Sequence, residues 1–240
     1  MEIYLFIIAV LFAASFTQGM TGFGFALVSI PLLSMMMELK EAVALGALGG
    51  LVVNIYLIIK LRSFVKFFDL KNLIIGSVIG IPLGTYMLND LSPHILKIIL
   101  GIIVILFVLL SVFKIIKQRN INTNLGYIFG FASGLLGGAL NTNGPPILIY
   151  FYLNGYDKFK QKASITGFFL IASMFIVFSH ALTGITSTTT LKNFGIALPF
   201  ILTGIFLGSR AFGKISTLIY DRIILGFLFI VSIYLIFLSR

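Results

Sequence analysis

Residues 19–33, GMTGFGFALVSIPLL, return in altered form at 134–151 as GLLGGALNTNGPPILIYF. A slide of about 115 places sets Phe16 on Phe131, Gly19 on Gly134, Gly22 on Gly137 and Pro31 on Pro146. Each copy interrupts a long apolar stretch with glycines, hydroxyl or amide side chains, and then proline. Such backbone does not continue a helix, and in hydrocarbon it is tolerated only where it is buried in protein or lines a wet cavity. Two such breaks, one in each half of a polytopic chain, are the best sequence pointer to a solute-binding site.

Around these breaks the chain is strongly apolar. Of 240 residues, 59% are hydrophobic and 10% charged, and the mean hydropathy is +1.13, which implies an integral membrane protein with no room for a sizeable soluble domain. Runs such as 98–113 and 223–238 show no in/out alternation, so helices rather than a β-barrel are expected. The net charge of +10 comes from basic residues spread over short loops; it reads as membrane topology and not as a nucleic-acid surface. With no cysteine, disulfides, thiolate metal sites and a catalytic thiol are excluded; no metal or other cofactor is expected. Residues 3–14 are short and apolar like a signal-peptide core, but Glu2 precedes them and they align with an internal stretch, so they read as mature structure.

Apolar segments fall at about 3–17, 25–37, 42–59, 72–88, 95–113, 123–139, 144–153, 163–182, 193–209 and 222–239. The repeat continues beyond the breaks. Glu41-Ala42 through Gly46 matches Lys162-Ala163 through Gly167, Leu70-Lys71-Asn72 matches Leu191-Lys192-Asn193, and Gly84 falls on Gly208. The chain therefore divides into units 1–116 and 117–240, one integrated membrane domain joined by the basic link Lys114 to Arg119.

Charge decides between parallel and inverted copies. If each broken segment crosses the membrane, Lys and Arg divide nearly evenly between the two sides. If each one enters and leaves on the same face, thirteen of the seventeen lie inside and only Lys40, Lys97, Lys192 and Arg240 outside, as the positive-inside rule requires. The fold expected is all-α: two inverted repeats, each a broken re-entrant hairpin plus three transmembrane helices, in the cell (plasma or inner) membrane. The C-terminus is placed outside; the first hairpin has no basic residue before it to place the N-terminus.

The second break, Asn141, Thr142, Asn143, Gly144, Pro145 and Pro146, is the more polar. Gly144-Pro145-Pro146 reads as a helix N-terminus at membrane depth, whose free N–H groups and positive dipole end attract an anion. In the first break Gln18, Thr21, Gly22 and Gly24 precede Ser29-Ile30-Pro31. Asn54, Ser173, His180 and Arg210 are candidates for a path, although each also fits helix packing or, for His180 and Arg210, an interfacial role. The seven carboxylates lie at termini and loop edges, which argues against a cation carrier.

These duplicated glycine–proline segments in a short, half-repeated, apolar chain resemble the TauE/SafE family of sulfite and organosulfonate exporters, over the whole length. The residues carrying the resemblance are Gly22, Gly24 and Pro31, then Gly137, Gly138 and Pro146; the copies depart where Ala26 and Ser29 stand for Asn141 and Gly144. The resemblance implies a carrier of small sulfur anions (sulfite, thiosulfate or a sulfonate) working by alternating access. Its partners would be a small anionic solute and the bilayer, with a homo-oligomer left open. Two other readings stand beside it. Ser133 and His180 would form the dyad of an intramembrane serine protease, against which Ser133 falls where the first copy has Gln18; a non-transporting scaffold would bind no solute.

Overall fold

The computed structural model describes residues 2–113, 121–156, 158–212, 226 and 229–237. The helices are α1 (Glu2–Thr21), α2 (Phe25–Leu33), α3 (Leu39–Leu61), α4 (Lys71–Asp90), α5 (Pro93–Phe113), α6 (Leu125–Leu140), α7 (Gly144–Leu153), α8 (Lys158–Leu182) and α9 (Thr188–Ala211), and residues 229–237 are helical as well. No strand occurs among the described residues. Among the described residues six helices, α1, α3, α4, α5, α8 and α9, are long and apolar enough to cross a membrane. The nine-residue α2, about 13 Å long at 1.5 Å per residue, and the short α6 and α7 lie beside the two breaks. The link at Lys114 to Arg119 lies outside the described residues, as do 222–225, 227–228 and 238–239 of the segment expected at 222–239.

Glycine sets which helices touch. On α4, Gly76, Gly80 and Gly84 lie against the backbone of α6 at Tyr127, Phe131 and Leu135, and α6 returns Gly130, Gly134 and Gly138 against Leu73, Ser77 and Ile81. A Cβ at any of these positions would fall on a neighbouring carbonyl. This is close packing through small residues, the device by which helices associate where lipid offers no hydrophobic contrast. The same construction joins α1 to α9: Gly204 and Gly208 meet Phe12 and Phe16, while a Cβ on Gly19 would meet the Ser209 nitrogen at 2.8 Å and the Ile205 oxygen at 2.9 Å. Residue numbers rise together along both seams, so each pair runs parallel.

Other contacts give the remaining directions. Phe25 lies at Gly49 and Ile30 at Gly46, so α2 runs antiparallel to α3. Asn54 contacts Phe169 and Ser173, whereas Gly167 lies at Val65 and Phe67, beyond the end of α3; α8 is therefore antiparallel to α3. Asn193 at the start of α9 donates to Glu41 at the start of α3 (2.9 Å), and Lys60 near the end of α3 donates to Ser209 near the end of α9 (3.2 Å), making these two parallel. Within the second break region, Ser133 lies at Asn143 and the Phe129 ring lies tilted against Tyr150, so α7 runs back along α6.

The structure changes the correspondence between the breaks. In both, the N–H of a left-handed residue closes the preceding helix four residues back: Gly22 (φ 91°) onto the Gln18 carbonyl at 2.7 Å, and Asn141 (φ 53°) onto the Gly137 carbonyl at 2.8 Å. The matching shift is 119, from Gly22 to Asn141, and not 115. Asparagine is among the few residues that tolerate this conformation, so a Gly-to-Asn difference concealed the register. Ser29 and Pro31 are displaced with it. They do not introduce α2 but sit inside it, because Gly22 and Gly24 break the chain earlier and Phe25 already starts the helix.

Candidate functional site

A small cavity, with about 30 Å³ of room for the centres of water-sized molecules, lies between the breaks. The first break contributes Gly24, Phe25, Ala26 and Leu27; the second contributes Asn141, Thr142, Asn143 and Gly144. Helices α3 and α8 close it with Gly50, Asn54, Phe169 and Ser173, and Gln18 of α1 completes the wall. None of these lining residues is charged. The glycines of α3 have a definite use here: a methyl on Gly46 or Gly49 would collide with Ile30 or Phe25, and one on Gly46 or Gly50 would also touch the Asn141 amide nitrogen.

The two breaks supply different donors. The Gly24 carbonyl accepts the Val28 N–H at 3.0 Å, the first helical bond of α2. The N–H groups of Phe25, Ala26 and Leu27 therefore have no carbonyl one turn earlier in the helix, and all three residues line the cavity. At α7 the helix begins at Gly144 as expected, but Pro145 and Pro146 occupy the next two positions and carry no N–H. The second break compensates with side chains. Asn141 and Asn143 line the wall with Thr142, whose hydroxyl is buried and has no hydrogen-bond partner among the described residues. A buried hydroxyl of this kind is costly unless something else pairs with it.

Along another wall runs a polar chain: Gln18 Nε2 donates to Asn54 Oδ1 (2.7 Å), and Asn54 Nδ2 donates to the Phe169 carbonyl (3.3 Å) and Ser173 Oγ (3.4 Å). This fixes the Asn54 amide with its oxygen toward α1, so α1, α3 and α8 meet at one buried point. Of the other expected residues, Thr21, Gly22, Ser29, Pro31, Gly137, Gly138, Pro145 and Pro146 are not in the cavity wall. Gly138 and Gly137 belong to the α4–α6 packing and to the end of α6. Arg210 lies at the end of α9 with its guanidinium over Phe206. Phe25, Leu27, Gly50 and Phe169 line the cavity without having been expected; only the glycine content of α3 hinted at them.

His180 is packed inside the bundle, two residues before the end of α8. It is fully buried, and its Nε2 pairs with the Gly138 carbonyl at 2.8 Å, because the seam between α4 and α6 draws the last turn of α6 against α8. Ser133 donates to the Asn143 carbonyl at 2.7 Å, so the two members of the supposed dyad are each engaged with a different backbone carbonyl. A sequence-family model described as "Sulfite exporter TauE/SafE" matches residues 7–235. No curated protein and no solved structure matches the chain. The match spans nearly the whole sequence, and the chain belongs to the TauE/SafE family: it is a multi-pass membrane protein of a transporter family.

Proposed function

We propose that this TauE/SafE protein is a secondary carrier of a small sulfur-containing anion, sulfite, thiosulfate or a sulfonate, and that the cavity between the two breaks is its binding site. The observation that carries the reading is the convergence of both breaks on one uncharged cavity rich in donors. Three first-turn N–H groups of α2, the Thr142 hydroxyl and the Asn141 and Asn143 amides surround it, and no lining carboxylate opposes an anion. Preorganised N–H groups at a helix start favour negative charge.

Alternating access follows from two units, 1–116 and 117–240, rocking about this site. Support for an inverted arrangement comes from helix directions: α1 and α2 run with and against α3, α6 and α7 run against and with it, and each hairpin's first helix packs along the other unit's α9 or α4. Cysteines introduced at Lys66 and Lys160 should label from one side of the membrane and those at Lys40 and Lys97 from the other. Labelling of all four from one side would contradict the inverted topology. The absence of a carboxylate from the cavity wall favours uniport, or co-transport in which the proton rides on the substrate.

A thermal-shift series with sulfite, thiosulfate, sulfonates, sulfate and carboxylates tests the substrate class, since a ligand that binds only the folded form raises its stability. Stabilisation by sulfur oxyanions and flux of the same anions in proteoliposomes are the expected results. Stabilisation by none of them would remove the substrate assignment.

A further inference from the structure

The start of α8 holds a charge that neither the fold nor the cavity explains. Lys162 is 6% exposed. Its Nζ donates to the Gly19 carbonyl at 3.0 Å and lies 3.6 Å from the centre of the Phe212 ring. Its stem packs against Gly22, where a Cβ would meet Lys162 Cγ at 2.7 Å. Lys60 and Arg210 close the same end of the bundle, and none of the three has a carboxylate partner among the described residues. A cation buried at a membrane helix end without a counter-ion is costly, and among the described residues a backbone carbonyl and a ring face are what offset that cost.

Capping does not account for the charge. Gly19 stands to Gly22 as Gly138 stands to Asn141, so the two carbonyls are equivalent. At Gly138 an imidazole suffices; at Gly19 the structure uses an ammonium. Lys162, Thr166, Phe169 and Ser173 share one face of α8 by their spacing. Thr166 is fully buried and its hydroxyl has no partner among the described residues, while Phe169 and Ser173 line the cavity. Two helical turns, about 10 Å, separate Lys162 from that wall.

Resting on the carrier reading above, we propose that Lys162 is the counter-charge for the transported anion. Its ammonium, parked on the Gly19 carbonyl, receives the anion at the basic end of the bundle and passes it by way of Thr166 to the cavity. Exchange of the Gly19 carbonyl for the anion would loosen the first break at the moment the substrate arrives.

The test uses the purified full chain, with sulfite as probe and thermal shift as readout. Lys162→Gln should melt near the parent without ligand and bind sulfite at least tenfold more weakly, whereas Lys162→Arg should stay within threefold. Because the chain has no cysteine, Lys162→Cys gives a second arm that does not depend on the glutamine variant folding. Attaching a 2-aminoethyl group through the thiol should restore sulfite binding, and attaching a 2-sulfonatoethyl group should not. Equal sulfite binding by the parent and Lys162→Gln, or equal binding by the two cysteine adducts, would overturn the role of Lys162 and leave the carrier reading intact. A parent stabilised by no anion overturns both.

Discussion

The two breaks reach the same backbone geometry by different chemistry. The first is made of glycine: Gly22 and Gly24 take left-handed conformations and the helix that follows presents bare N–H groups. The second turns on an asparagine and starts its helix with two prolines, giving up backbone donors and offering side-chain amides and a free hydroxyl in their place. A single anion between them would be held by dipoles from one side and by oriented side chains from the other. The end caps differ in the same way, with a fixed cation on Gly19 and an imidazole on Gly138.

The largest test of this contrast places a carboxylate in either break. Asn143→Asp keeps its size, and at about 4 Å and an effective dielectric near 20 the repulsion of an anion is about 4 kcal/mol; Ala26→Asp should do the same if both breaks face one cavity. Flux in proteoliposomes measures it, and an Asn143→Asp protein that transports at near the parent rate would remove the second break from the site. Next is Asn143→Ala, which removes one hydrogen bond to a charged partner, about 1.5–3 kcal/mol of anion affinity by thermal shift. Ala26→Gly should change affinity little, since the first break binds through its backbone.

Stability separates the breaks further. Thermal denaturation of His180→Ala should show a loss of about 1–3 kcal/mol from the unpaired Gly138 carbonyl, and His180→Gln, which keeps a donor, should lose less. Gly22→Ala should cost about 1–2 kcal/mol for a side chain in the left-handed region, with added crowding against Lys162. Asn141→Gly should leave the fold as stable as the parent and lower only anion affinity. A destabilised Asn141→Gly would mean that its side chain supports the fold more than the site.

Much of this was legible in the chain. Hydropathy made it a helical membrane protein, the glycine and proline clusters marked both breaks, and the resemblance they carry agrees with the family to which the chain belongs. Asn141, Thr142, Asn143, Gly144, Gln18 and Gly24 were singled out by type and do line the cavity. The repeat register was misread because glycines that match at a shift of 115 serve unlike purposes: Gly22 ends a helix, while Gly137 lies inside one.

What the sequence by itself determined is therefore the solvent, the class of secondary structure and the places where helix must stop, since each follows from local hydropathy and backbone chemistry. Which faces meet was decided only by tertiary structure. In a membrane the lipid-facing and buried sides of a helix are both apolar, so no amphipathic stripe distinguishes Phe25, 2% exposed, from Phe178, 62% exposed. The same physics hid the joining of Gln18, Asn54 and Ser173 and the burial of Lys162 and His180. Those depend on close glycine seams between α4 and α6 and between α1 and α9, contacts between residues far apart in the chain.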